Sequence, residues 1–541
     1  MHLFTTVAGL RCYLSLQRAE QNRNASTALP SGIGLVPTMG ALHAGHLSLI
    51  QRARQENAIV IVSIFVNPLQ FGAHEDFQKY PRTLEKDQQL CEAAGVDAIF
   101  APSAKELGIK TSFGNVGAEN LLQASDFYLS TAVVPPASMT AVMCGRARPG
   151  HFQGVCTIVT KLFNLVQPER AYFGQKDAQQ LAIIRKMVAD LNIPVEIVSC
   201  PTVREASGLA MSSRNQYLTE DEKKQAAVLY RSLHRAESAF VAGKRAGAEL
   251  IAMVKAELAT EPSVLLEYVE LVDPNTLMPI EEVEEVGLLA IAARVGSTRL
   301  IDNVVLRARQ PIVAIDGPAG VGKSTIARHI ARALEFRYLD TGAMYRAATW
   351  LILHSGIAIE DESAIAEAIG RCEISIGTPI VSDPLAPIPI QVNGKDVTQA
   401  IRTLEVTAHV SAVAAQPAVR RLLVQQQQNL GKKGGLVAEG RDIGTNVFPD
   451  AEVKIFLTAS ARERARRRQQ DLIAQGQEIV SLEQLEQDIA ERDRKDSTRP
   501  VAPLKKAPDA LEIQTDGLSI QEVVARILAY YEHRQQARAN Q

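Results

Sequence analysis

The chain is 541 residues long, 46% hydrophobic and 22% charged, a composition that excludes a disordered or collagen-like polymer and a length that implies more than one domain. Its 58 basic and 60 acidic residues leave a formal net charge of −2, so no global field draws it onto nucleic acid or anionic lipid, and any phosphate site must be local. The six cysteines, Cys12, Cys91, Cys144, Cys156, Cys200 and Cys372, include no CxxC pair; this argues against a zinc site or disulfide framework and for a reducing compartment, the cytoplasm.

The N-terminus, MHLFTTVAGLRCYLSLQRAEQNRN, lacks the apolar core and small-residue end of a signal peptide, and no stretch approaches about 18 uninterrupted apolar residues. From Ile33, short apolar runs alternate with amphipathic stretches: IGLVPT, HLSLIQRARQE, AIVIVSIFV, the segment from Leu84 to Ala94, then DAIFAP. This βαβ rhythm predicts a parallel sheet with covering helices. It resumes with VCTIVTKLFNLV, whose Val155, Ile158, Val159, Leu162, Phe163 and Val166 fall at helical spacing, then RAYF, a helix near Gln179 to Leu191, and VEIV. The expectation is a doubly wound, Rossmann-like α/β domain over residues 1–200. A helix-rich stretch from Thr219 to Glu257 and strands at LLEYVELV, GLLAIAARV and RLIDNVVL predict a small α+β subdomain over 201–307 that closes over the first. At Pro311 a buried-type strand, PIVAID, leads into a glycine-rich turn and a helix, followed by strand candidates LVAE, VKIFL and ALEIQT. That is a second α/β domain, 308–541, joined without a Gly/Ser- or Pro-rich spacer. The run Gln425 to Gln428 reads as a solvated helix face.

In PTMGALHAGH, Pro37 to His46, two histidines stand three residues apart between a strand and a helix. Three uses are open. One is a metal site, for which His74 and His151 offer no ligand spacing; another is one core and one surface histidine. The third is an adenylylation site, where imidazoles and helix N-terminal N–H groups stabilise charge on an α-phosphate and departing pyrophosphate. That reading needs a second phosphate loop, and GLAMSSRNQYL supplies Met211, Ser212, Ser213 and Arg214. In YFGQKDAQQL, Lys176 offers a cation to phosphate; Asn67, Gln70 and Gln180 are neutral hydrogen-bonding groups suited to a small hydroxy acid, and RPGHF adds Arg148 and His151. Over residues 31–306 these motifs resemble the pantothenate synthetase family, which joins pantoate to β-alanine with ATP through a pantoyl-adenylate. The resemblance implies ATP contacts at Met39, Gly40, His43, Gly45, His46, Gly174, Gln175, Lys176, Asp177, Val203 and Met211 to Arg214. His43, His46, Lys176, Ser212, Ser213 and Arg214 would then act on the reacting phosphates, with His46 as proton donor. It places pantoate and β-alanine near Gln70, pantoate near Gln180, and Asn67 and Arg148 in the same pocket. It also implies Mg²⁺ with the nucleotide and a homodimer formed through the first half. The family often has Glu where this chain has Gln175.

The string GPAGVGKS, Gly317 to Ser324, fits G-x-x-x-x-G-K-[ST] after an apolar strand and before a helix carrying Ile326, Ile330 and Leu334. Gly317, Gly320 and Gly322 let backbone N–H groups close around phosphate oxygens, and Lys323 can reach the β- and γ-phosphates. Ser324 and Thr325 meet ATP at the positive end of the helix dipole, Ser324 also as a Mg²⁺ ligand. A switch protein needs loops that sense the γ-phosphate, whereas a small-molecule kinase needs a second phosphate pocket and an arginine-bearing lid. LDTGAMYR, EGRDIG, RERARRR and ERDRKDSTR supply the latter. Over residues 310–535 they resemble the cytidylate kinase family. The resemblance implies CMP or dCMP contacts at Thr341, Arg346, Arg441, Asp442, Arg492, Asp496 and Arg499, a lid residue Arg467 approaching the transferred phosphate, and an acceptor-binding insertion around Asp396 to Arg402. Glu439 stands where an aspartate is more usual. The sequence thus predicts two ATP pockets acting on small molecules, with no nucleic-acid or membrane partner.

Overall fold

The computed structural model describes residues 1–23, 32–72, 75–109, 131–377, 388–474, 480–498 and 502–540. They form two compact units, Met1–Ala308 and Arg309–Gln541. Among the described residues no helix is long and apolar enough to cross a membrane.

In the first unit six parallel strands, β1 (His2–Phe4), β2 (Ile33–Thr38), β3 (Ile59–Ile64), β4 (Ala98–Phe100), β5 (Arg170–Gly174) and β6 (Glu196–Cys200), lie in the order β1-β4-β3-β2-β5-β6. The chain runs outward from β2 through β3 to β4, then returns to place β5 and β6 on β2's other side. Connections of opposite sense diverge between β2 and β5, and the carboxyl ends of those strands open a crevice there. The two-histidine turn follows β2 and the Gly174 turn ends β5, so both motifs flank it. The helix His151–Val166 is buried along most of its length, which its Val155, Ile158, Val159, Leu162, Phe163 and Val166 stripe dictates.

Strands β7 (Val264–Val272), β8 (Val286–Val295) and β9 (Thr298–Arg307) make an antiparallel meander. Leu288, Ala290 and Ala292 of β8 join the core beneath the six-stranded sheet. The alternate residues Leu289, Ile291, Ala293 and Val295 join a second core with Leu229, Leu233, Leu250 and Val254 of the helices Val228–Val241 and Gly247–Leu258. GLLAIAARV is therefore apolar up to Arg294 because both faces of the strand are covered, where a half-exposed strand would alternate.

In the second unit β10 (Ile312–Asp316), β11 (Arg337–Asp340), a small antiparallel sheet of β12 (Ile374–Ile376), β13 (Ile390–Val392) and β14 (Lys395–Asp396), then β15 (Leu436–Gly440), β16 (Val453–Thr458) and β17 (Leu511–Gln514) follow in turn. The main sheet is parallel, in the order β11-β15-β10-β16-β17. Its register sets Asp316 opposite Gly440 and Asp340 opposite Glu439, so three motif-bearing turns leave the sheet at one edge.

The glutamine run corrects the sequence expectation. Gln425 and Gln428 are exposed, but Gln427 is 0% exposed and neither end of its amide has a hydrogen-bond partner among the described residues. Val419, Leu423, Gln427 and Gly431 recur every fourth residue along the buried stripe of the helix Pro417–Gly431, and that spacing carries the glutamine inward.

Candidate active sites

The turn after β2 aims two histidines. Gly40 and Ala41 take left-handed conformations, φ 81° and 51°. Asp87, buried on the helix Leu84–Ala93, accepts the N–H groups of Ala41 at 2.9 Å and Leu42 at 2.8 Å. His43 caps the helix Ala44–Glu56: its Nδ1 accepts the Gly45 N–H at 3.1 Å, which leaves the proton on Nε2. A Cβ on Gly45 would sit 2.9 Å from His43 Cε1, so glycine is what admits the ring there, with the His43 and His46 centroids 4.1 Å apart. Burial pushes His43 down to about 4, helped by Lys176; burial, then His43 and Lys176, push His46 down to about 3. Both rings are neutral at physiological pH, and His46 Nδ1 has no partner among the described residues.

Across the crevice, one 3₁₀ turn after β5 presents Lys176, 3.8 Å from the Asp177 carboxylate. Ser212 caps the turn Ser213–Tyr217 by accepting the Arg214 N–H, and Ser213 bonds the Tyr80 hydroxyl at 3.0 Å. The Met211 N–H donates to Val203 O at 2.9 Å, joining the two segments named for ATP. With Met39, Gly174, Gln70 and Gln180 these groups line a cavity of about 240 Å³, beside a chamber of about 680 Å³ that shares Arg148, Lys176 and Arg214. Arg214 pairs with both oxygens of Asp76 at 2.8 Å, and Arg148 with Glu75 at 2.5 and 2.6 Å. Burial opposes ionisation of Glu75 and Asp76, but the guanidinium hydrogen bonds outweigh it and hold both below the usual carboxylate range. Asn67, 2% exposed, commits its amide to Gly154 O and Gln70 Oε1, each at 3.1 Å, and to the Leu69 N–H at 3.0 Å, so it fixes Gln70.

The second site gathers at the edge shared by β10, β11 and β15. Gly317 has φ 150°, and a Cβ there would lie 2.3 Å from Leu457 O, so the loop needs glycine. Lys323 donates to Gly317 O at 2.7 Å and Pro318 O at 2.6 Å; burial, then Arg441, push its ammonium well below its ordinary value. Asp316 accepts the N–H groups of Ile443 at 2.8 Å and Gly444 at 2.7 Å, tying the phosphate loop's strand to the EGRDIG turn; burial pushes its carboxyl up to about 6 against those bonds. Glu439 is buried, hydrogen-bonded by the Tyr338 hydroxyl and by Ser324, and raised by burial and then by Asp340. Thr341 Oγ1 donates to Glu439 O at 2.7 Å, Arg346 pairs with Asp340 at 3.1 Å, and Arg441 with Asp496 at 2.8 Å. Asp442 is buried against Arg420. Arg492 lines the same cavity, of about 1130 Å³, as do Gly320, Gly322 and Thr325. Arg467 donates to Thr515 Oγ1 at 3.2 Å and Thr515 O at 2.9 Å. Asp396 is exposed and caps the Thr398 N–H at 2.8 Å; Arg402 carries a lowered pKa from burial and then from Arg346 beside it.

Most of the sequence-derived residues line one cavity in each unit; Gly40 and Gln175 are not among the lining of the first, nor Gly317, Asp396 and Arg402 among that of the second, and Arg499 and His74 lie outside the described residues. Sequence reasoning missed Glu75, Asp76 and Tyr80 in the first and Arg420 and Asp493 in the second, and it did not separate Arg464 from its neighbours. Arg464 is 4% exposed, donates to Ala319 O of the phosphate loop at 3.1 Å, and grips both oxygens of Asp493.

Comparison with known proteins matches each unit to a family. Residues 3–305 match the family described as pantoate-beta-alanine ligase and residues 313–533 that described as cytidylate kinase. A bifunctional pantoate ligase/cytidylate kinase of Trichormus variabilis is 64% identical over 99% of each chain, and one of Acaryochloris marina is 56% identical over 98% of each. The crystal structure of pantothenate synthetase from Thermus thermophilus covers 56% of this chain and 99% of its own, at 43% identity and a TM-score of 0.48. Since relatives this similar run through both units from end to end, the chain belongs to the bifunctional pantoate ligase/cytidylate kinase family.

Proposed function

We propose that the unit Met1–Ala308 makes pantothenate from pantoate, β-alanine and ATP, and that Arg309–Gln541 passes the γ-phosphoryl group of ATP to CMP or dCMP. The observation that carries this reading is the pair of separate phosphate-binding clusters, each with its own lysine, Lys176 in one and Lys323 in the other.

In the first, the pantoate carboxylate, held by Gln70 and Gln180, attacks the α-phosphorus; the new acyl–phosphate bond forms as the bond to the β-phosphate breaks. Charge gathers on the α-phosphate and the leaving pyrophosphate, where Lys176, the Ser212–Arg214 turn and the imidazole N–H groups stand. A buried imidazole with a pKa near 3 donates a hydrogen bond rather than a proton, and His46 serves in that role. Arg148 and Arg214 exchange Glu75 and Asp76 for substrate anions. The amine of β-alanine then takes the acyl group and AMP leaves; two bound steps replace one difficult condensation.

In the second, Lys323 turns from the Gly317 and Pro318 carbonyls to the β- and γ-phosphates, while Arg346, Arg441 and Arg492 hold the acceptor phosphate. Among the described residues no cluster of three or more acidic, histidine or cysteine side chains could hold a metal. Ser324 with the buried carboxylate of Glu439 beside it nevertheless fits one Mg²⁺ shared with the nucleotide, which when bound spreads the phosphate charge. The reading places the enzyme in the cytoplasm, as a homodimer formed through its first half.

Product analysis of the whole chain tests this. AMP should form only with pantoate and β-alanine together, and ADP only with CMP or dCMP. Lys323→Ala should cut ADP formation by about 10³-fold or more and leave AMP formation unchanged. ADP as the sole product whatever acid and amine are supplied, or loss of both activities in the variant, would overturn the two-site reading.

A further inference from the structure

Strand β9 carries two adjacent polar residues, Asp302 and Asn303, whose side chains leave opposite faces of the strand. Each reaches a different phosphate loop of the ligase site. Asn303 donates from Nδ2 to the main-chain carbonyls of Gln175 at 3.0 Å and Lys176 at 2.8 Å, the turn that carries the phosphate-directed lysine. Asp302, 3% exposed, accepts from both terminal nitrogens of Arg204, at 2.6 and 3.0 Å. Arg204 also donates to Gly208 O at 3.1 Å, lies over the Tyr230 ring at 4.4 Å, and bridges through its backbone to Ala210. Ala210 is followed directly by Met211 to Arg214. One dipeptide of the small subdomain thus anchors both the Lys176 turn and the base of the Ser212–Arg214 turn.

We propose that Asp302 and Asn303 are positioning residues that set the separation of these two loops for the adenylylating step. This rests on the ligase reading above. In that step the triphosphate spans both loops, α-phosphate at one and departing pyrophosphate at the other, so a misplacement of about 1 Å costs on the order of 10²-fold. Once pyrophosphate has left, the acyl-adenylate depends on the Lys176 side alone. The clasp therefore governs the first half-reaction and not the second.

Asn303→Asp is the informative variant: nearly isosteric, it replaces the two N–H donors with an oxygen that faces two carbonyls. Two rates are measured on the full chain, pyrophosphate release from ATP with pantoate in a single turnover, and pantothenate formation from preformed pantoyl-adenylate with β-alanine. Pyrophosphate release should slow by about 10- to 100-fold while aminolysis stays within about twofold, and Asp302→Asn should show the same split more weakly. An equal fall in both half-reactions marks a general loss of fold and overturns the proposal, as does unchanged pyrophosphate release in Asn303→Asp. If the unaltered chain releases no pyrophosphate with pantoate, the ligase reading itself fails, which separates the two outcomes.

Discussion

The two candidate phosphate sites of this chain restrain their cations differently. In the ligase site Arg148 and Arg214 rest on Glu75 and Asp76, carboxylates of one short segment, while Lys176 is steered through its own backbone from β9. In the kinase unit two arginines tie separate elements of the site together. Arg464 links the phosphate-loop carbonyl of Ala319 to Asp493, and three residues along the same helix, Leu482–Thr498, Asp496 holds Arg441. Asp316 makes a second tie, from the phosphate-loop strand to the EGRDIG turn. The difference follows the chemistry. A site that keeps an intermediate while pyrophosphate leaves and an amine enters needs arginines that can exchange one anion for another, over phosphate loops held from β9. Direct transfer between two nucleotides needs the arginines themselves at one fixed distance.

The largest expected effect breaks the comparison at the histidines. His46→Ala should slow pyrophosphate release by about 10²- to 10⁴-fold, the usual range for a group acting on a proton or its hydrogen bond, and leave CMP phosphorylation untouched. Because burial pushes His43 to about 4 and His46 to about 3, ligase kcat/KM should stay flat through the pH near 6.5 where an ordinary histidine titrates. A bell limb near 6.5 that disappears in His46→Gln would instead make it the proton donor. The stability sign follows. Folded values below the unfolded value mean that the unfolded chain binds more protons between about 4 and 6.5. The contribution of these two imidazoles is present above about 6.5 and is lost as pH falls through their folded values. The first unit's unfolding midpoint should drop on acidification through that window.

The kinase bracing sharpens the comparison next. If Arg464 and Asp493 carry binding energy between the two nucleotide pockets, saturating CMP should lower the KM for ATP by about 5- to 20-fold. Asp493→Asn, which keeps the shape and removes the charge, should abolish most of that dependence while changing kcat little. A KM for ATP that ignores CMP in the unaltered chain would leave the brace with a purely structural role.

What could be read from the sequence is what local pattern encodes. β2, β10 and β15 are runs of apolar residues ending in glycine-bearing turns, and the histidine and phosphate-loop motifs sit at the carboxyl ends of the first two, where a parallel sheet puts its ligands. β1 escaped because HLF is three residues long and only partly buried; its pairing with Ala98–Phe100 comes from residues far away in sequence. The same distance hid the supporting residues. Glu75 meets Arg148 across 73 positions, Asp76 meets Arg214 across 138, and Asn303 meets Gln175 across 128. No spacing rule links residues so far apart. Gln427 was misread for a different reason: four glutamines look solvated, yet the period of the helix places one of them on the stripe of Val419 and Leu423.

That glutamine gives the smallest and most specific test of how far the kinase unit relies on buried polar contacts. Asp316, Asp442 and Arg464 are buried but satisfied by partners that shape the site. Gln427 is buried with neither amide atom partnered among the described residues, a condition that costs about 1–3 kcal/mol. Leucine has a similar volume and matches the apolar neighbours along the stripe. Gln427→Leu should therefore stabilise the second unit by about 1 kcal/mol in denaturant unfolding, with CMP phosphorylation unchanged. A loss of comparable size would mean that the amide has a partner worth keeping, and that the unit's buried polar groups all serve its bracing.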